Sequence, residues 1–270
     1  MHKKIFAVCL FAILFVLAWS LSPVFAKNPD NNGWADREIP EEEGTYDVPG
    51  HPNLKVRVFI HRPGNTRQVK PTPAPPAPVC DLEDPNSTSV ASEAGWYIPS
   101  GSWTYNLNLN SVPASVGSGN LALMSADAFG RWSSAIDGTV TFAEGPTTTA
   151  SRAVYDEQNI ITWGRAPGGA LAVAYIWYYQ NTGEVVEVDT IMNKKYSWSW
   201  TPYNEGNLCS VVDTYDAQDI LTHELGHWVG LDDHYTDDYK ENTMYGYGAA
   251  AEVKKDTLTT GDINGAVAIY

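Results

Sequence analysis

Hydrophobic and polar positions fall into two regimes along the chain. From about residue 96 onward they repeat regularly; before that they are sparse. Residues 103–109 alternate with period two, which predicts a strand. Leu121, Met124, Ala128 and Trp132 recur at helical spacing and predict an amphipathic helix over 120–132, with Gly138 following. Residues 140–142 and 159–163 read as strands. Residues 170–179 and 184–192 flank Asn181-Thr182-Gly183, a hairpin signal. Asp216 suits the N-cap of a helix running through Leu221, His223 and His227 to about Gly230. Residues 258–270 predict a closing helix, with Asp262 near its start and Ile263, Val267 and Ile269 available for the core. This order implies an α+β fold, a twisted sheet packed on one face by helices.

The first part is different. Residues 27–70 offer one apolar patch, Val56 to Ile60, that reads as a short strand and is too little for a core of its own. It suits a prosegment or a strap on the main domain. Five prolines between Pro71 and Pro78 form an extended spacer and mark the best boundary, giving an extension at 27–79 and a main domain at 80–270. At the start, Lys3 and Lys4 precede an apolar run over 5–19, and Val24 and Ala26 supply small residues before a cut. Residues 1–26 therefore read as a signal peptide, and the run is short against the about 20 residues of a membrane span. The expected address is extracellular, with no membrane attachment after cleavage.

Charge narrows the partners. With 17 Lys+Arg against 32 Asp+Glu the formal net charge is −15, which argues against nucleic acid or an anionic membrane surface. The carboxylates also offer calcium candidates, but none has EF-hand spacing, so calcium stays unassigned. Cys9 lies in the signal peptide. Cys80 and Cys209 remain, and in an oxidising compartment they most simply pair.

Chemistry concentrates at 222–234. His223 and His227 are four residues apart, so on a helix both imidazoles share one face and can grip one metal ion. Glu224 stands beside that face, where a general base for a metal-activated water is needed. Gly230 lets the chain leave the helix and double back with a third ligand.

His223, Glu224, His227 and Gly230, followed by Thr243-Met244-Tyr245-Gly246, resemble the metzincin zinc peptidases, and within them the bacterial matrixin-like enzymes. The likeness runs over about 96–270. It implies a twisted mixed sheet with an active-site helix and a C-terminal helix, one catalytic zinc, a turn at Met244 beneath the metal, and hydrolysis of proteins or peptides by a monomer. The family's usual third histidine falls on Asp233 here, with His234 next door. Asp233 fits the spacing and His234 is the alternative. Too few histidines remain for a second, structural zinc site, since His51 and His61 lie in the extension. Pro78-Val79-Cys80-Asp81 is similar to the matrixin prosegment motif but lacks its arginine and glycine, which favours the disulfide over a thiolate on the metal. Substrate is expected to add a strand at an edge near 170–175, with Tyr245 and Tyr247 as weak pocket candidates. Trp177 and Trp198 suit sheet packing better than a sugar platform. Two other functions remain open: a zinc-holding binding protein without turnover, and a hydrolase of cell-wall amides.

Overall fold

The computed structural model describes residues 39–64, 77–202 and 208–270. The signal peptide expected at 1–26 and the spacer up to Pro76 lie outside the described residues. In chain order the strands begin with β1 (Gly44–Val48), β2 (His51–Pro63), β3 (Val79–Leu82) and β4 (Gly101–Leu107). Helix α1 (Asn120–Ala135) follows, then β5 (Val140–Glu144), β6 (Ile160–Gly164), β7 (Ala172–Tyr179) and β8 (Val185–Asn193). Short strands β9 (Trp198–Ser199), β10 (Leu208–Ser210) and β11 (Tyr215–Asp216) lead into α2 (Ala217–Trp228). β12 (Tyr247–Gly248) and α3 (Thr260–Ile269) close the chain.

The main sheet has the order β1-β2-β7-β8-β6-β4-β5, with β12 joined to β2. β4, β5, β6 and β8 run parallel where they pair, and β7 returns antiparallel to β8 through the expected hairpin. One face packs against the helices through Leu121, Met124, Trp132, Leu221, Leu225 and Trp228. The other buries Val56, Val58, Ile60, Val173, Tyr175 and Trp177. Trp177 and Trp198 are both buried, as sheet packing requires.

The largest departure from expectation lies in the extension. The strand read at 56–60 is thirteen residues long and pairs antiparallel with β7 from Leu54↔Tyr179 to His61↔Ala172. The β7 edge expected to receive substrate is therefore occupied. The cause is visible in the residues: Val56, Val58 and Ile60 fill one face of the sheet while Phe59 and His61 point to the helix face, and both are buried. A strand apolar on both faces needs a sheet to lie in, and its own hairpin with β1 cannot supply one.

α3 also differs in detail. It starts from a capping box in which Thr259 and Asp262 satisfy each other's backbone N–H groups. Its buried face is Gly261, Asp262, Gly265 and Ala266, while Val267 is 54% exposed rather than in the core. The helix approaches the 89–91 segment too closely for larger side chains: a Cβ on Gly265 would sit 2.4 Å from the Ala91 carbonyl oxygen.

Cys80 and Cys209 form a disulfide between the paired strands β3 and β10. It closes a loop of 129 residues in sequence, worth about 4–5 kcal/mol in the chain-entropy model. Cys80 is thereby taken, and no thiolate from it reaches the helix. Among the described residues no helix is long and apolar enough to cross a membrane.

Candidate metal centre

α2 is buried at every one of its 12 positions, so each polar side chain on it needs a partner or a purpose. Asp216 caps the helix as expected, accepting from the N–H groups of Gln218 (2.8 Å) and Asp219 (3.2 Å). One turn apart on the same face stand His223 and His227, both fully buried. His223 Nδ1 donates to the Thr243 carbonyl at 2.7 Å, and His227 Nδ1 donates to the Leu231 carbonyl at 2.9 Å. Each bond fixes the tautomer and leaves a lone pair on Nε2.

After Trp228 the chain turns back at Gly230, whose φ is +100°. A side chain there would be strained, and its Cβ would lie 2.5 Å from the Trp96 carbonyl oxygen. The return brings Asp233 Oδ1 to 3.1 Å from His223 Nε2 and 3.7 Å from His227 Nε2. Tyr235 donates to the other carboxylate oxygen at 3.0 Å. His234 is turned away: its Nε2 accepts from the Ser92 N–H at 2.8 Å and its ring stacks on Tyr239. Of the two residues left open by the sequence, only Asp233 meets the imidazoles.

The turn at Met244 lies beneath. Asp262 accepts from the N–H groups of Thr243 (2.8 Å) and Met244 (3.2 Å), holding the Thr243 carbonyl in place for His223. Met244 is fully buried against Gly226, where an added Cβ would meet its sulfur at 2.2 Å and Trp132 at 2.9 Å. Gly226→Ala is therefore expected to destabilise the fold by about 1–3 kcal/mol through overpacking. An unchanged urea midpoint would refute that reading of the contact. Tyr245 and Tyr247 line a hollow with Pro63 and Gly64 at the end of β2.

Residues 97–270 match the family model for matrixin. The chain belongs to the matrixin family. No curated protein matches it. Among the described residues, the matched stretch holds β4 to β12 and α1, α2 and α3, while β1, β2 and β3 precede it. Membership assigns this matrixin to the zinc-dependent metallopeptidases, with protein or peptide substrates.

The site of this matrixin also contains a residue that pattern reading set aside. His61, on β2, lies edge-on to His223 with ring centroids 4.0 Å apart, and its Nδ1 is 3.9 Å from Glu224 Oε1. Two overlapping groups of possible ligands result, His223-His227-Asp233 and His61-His223-Glu224. The alternation Arg57, Phe59, His61 on the face opposite Val56, Val58 and Ile60 was the available signal.

The donor set suits a cation. His223 Nε2, His227 Nε2 and Asp233 Oδ1 are all buried without a hydrogen-bond partner. With both Nδ1 atoms donating, three electron-pair donors face one another, an arrangement that repels unless a positive ion lies among them. Two imidazoles and a carboxylate are a set that zinc accepts while keeping a position open.

Proposed function

We propose that the chain is a secreted zinc endopeptidase with one zinc held by His223, His227 and Asp233 and with Glu224 as general base. The unpartnered, mutually facing Nε2, Nε2 and Oδ1 atoms carry this reading. Residues 1–26 would be the signal peptide, 27–79 an extension that covers the cleft, and 80–270 the catalytic domain, acting as a monomer. Calcium has no assigned place.

When bound, zinc supplies the positive charge that polarises a peptide carbonyl and makes a water easier to deprotonate. Glu224 receives the proton and returns it to the departing amine. Its surroundings suit both halves of that task. Burial, reinforced by Asp233 and opposed by Lys255, pushes its pKa well above the ordinary carboxylate range, while a cation held beside it would pull it back down and free it to accept a proton. Both its oxygens are buried and unpartnered, whereas a purely structural carboxylate would be hydrogen-bonded. β7 supplies the edge along which an extended peptide would run, in the place β2 now fills.

Two of the three ligands should resist acid. Burial drives His227 down to about 3, although Asp233 pulls it up. Burial raises Asp233, but His227, His223 and the Tyr235 hydrogen bond outweigh it and hold the carboxyl at about 2. Proton competition at His227 and Asp233 should thus add little to zinc loss on dialysis until the pH falls towards about 3. Zinc loss that takes up more than one proton near pH 6 would count against this donor set. In the apoprotein, folded His227 has a pKa below its unfolded 6.5, so the unfolded chain binds more protons between 6.5 and about 3. Stability is therefore full above that window and falls as the pH drops through it.

The occupied edge favours one rival, a zinc-holding protein without turnover. The deciding assay uses casein and peptidoglycan, each with and without a zinc chelator, before and after brief trypsin treatment. Arg57 and Arg67 place tryptic sites in and just after β2. Chelator-sensitive casein hydrolysis that rises after trypsin is expected. Zinc binding with no hydrolysis of casein in any form would leave the non-catalytic reading standing, and peptidoglycan release alone would leave the cell-wall reading.

A further inference from the structure

His234, turned away from the imidazoles of α2, has a task of its own. Residues 91–94 lie antiparallel to 230–232, with Glu93 opposite Leu231. The Ala94 N–H donates to the Gly230 carbonyl at 2.8 Å, and the Asp232 N–H to the Ser92 carbonyl at 2.9 Å. A regular antiparallel ladder would return the Ser92 N–H to the Asp232 carbonyl. Here it goes to His234 Nε2, at 2.8 Å. The ladder is thus broken one residue before Asp233, and an imidazole from one residue after Asp233 spans the break.

His234 is held on its other side too. Its N–H donates to the Met244 carbonyl at 3.0 Å, and its carbonyl accepts from the Gly246 N–H at 2.8 Å. Its ring lies flat on Tyr239, with centroids 3.9 Å apart and planes 7° from parallel. One residue therefore ties the returning chain to the Met244 turn through its backbone and to Ser92 through its side chain. Ser92 belongs to a strip that is itself fixed: the Ala91 N–H donates to the Gly261 carbonyl (3.1 Å), and the Ser89 carbonyl accepts from Asn242 Nδ2 (2.9 Å). With Nε2 accepting, the neutral ring carries its proton on Nδ1 and has no lone pair left for an ion. A phenylalanine would keep the stack on Tyr239 but leave the Ser92 N–H without its acceptor.

We propose that His234 is a positioning residue for the metal centre: the bond from Ser92 to its Nε2 fixes the peptide units on either side of Asp233 and so aims that carboxylate at the two imidazoles. Clamped before and after, Asp233 Oδ1 keeps its place 3.1 Å from His223 Nε2 and 3.7 Å from His227 Nε2. Without the bond, the strip holds residue 233 from one side only, through Asp232, and the carboxylate samples positions farther from the pair. Ser92 lies ahead of residues 97–270, so the family match does not supply this tie. The role rests on the three-donor centre described above and adds no ligand to it.

The test reads the ion rather than turnover. The full-length parent, His234→Phe and His234→Gln are compared; glutamine carries an amide oxygen at a reach similar to Nε2. Zinc affinity is measured by competition with a chromophoric chelator, and the visible bands of the Co2+-loaded proteins are recorded. His234→Phe should bind zinc roughly tenfold more weakly than the parent, a loss too small to empty the site on dialysis, and should show shifted cobalt bands. His234→Gln should restore the parent's affinity and bands. Parent-like values in His234→Phe would overturn the proposal while leaving the three-donor centre intact. A His234→Gln displaced as far as His234→Phe would also overturn it, since the acceptor would then not be what matters. A parent that takes up neither metal would instead sink the centre itself. If metal-free His234→Phe shows no cooperative melting, His234→Ala takes its place under the same expectations.

Discussion

Glu224→Gln should hold one zinc per chain and, after trypsin treatment, hydrolyse casein at least ~10²-fold more slowly than the parent. The amide keeps the size and shape of the carboxyl but cannot accept a proton. The lone pairs at His223, His227 and Asp233 are untouched, so metal content separates a lost base from a lost site. The change also removes a buried carboxyl whose ionisation burial and Asp233 oppose. The variant should therefore be no less stable than its parent. Full casein hydrolysis by this variant would end the assignment of Glu224, and loss of zinc from it would show that the carboxylate serves the ion rather than the reaction.

Asp233→Ala should lose zinc under dialysis that leaves the parent loaded, with a fall in affinity of at least ~10²-fold, while His234→Ala should retain it. A ligand outside the shell typically costs that much when removed, and a direct donor costs more. The structure gives the two neighbours different tasks. Asp233 Oδ1 faces both Nε2 atoms, whereas His234 Nε2 is spent on the Ser92 N–H. Zinc lost only in His234→Ala would reverse the assignment, and zinc retained in both would remove it. The alanine at 233 also leaves Tyr235 without its acceptor, so Asp233→Asn, which preserves one oxygen for that hydrogen bond, is the companion variant.

Much of this was legible from residue spacing because the physics behind it is local. The cap at Asp216, the one-turn separation of His223 and His227 and the reversal at Gly230 each depend on a few neighbouring residues. The strands and the hairpin followed from alternation, and the Cys80–Cys209 bond from there being no other partners in the main part of the chain. What escaped was non-local. A five-residue apolar patch ahead of five prolines reads as a short strand in a prosegment or a strap, and nothing nearby in sequence shows that the β7 edge, more than a hundred residues later, will take it. His61 was discounted with the segment that carries it. Val267 was misplaced for a related reason: α3 is seated by small residues against 89–91, a close contact that apolar periodicity does not reveal.

The carboxylate of Asp262 reaches further than helix capping. It grips the backbone of Thr243, whose carbonyl orients His223, so α3 is wired to an imidazole of the candidate metal centre by two hydrogen bonds in series. Loss of the Asp262 carboxylate would thus disturb the metal centre without touching a single ligand.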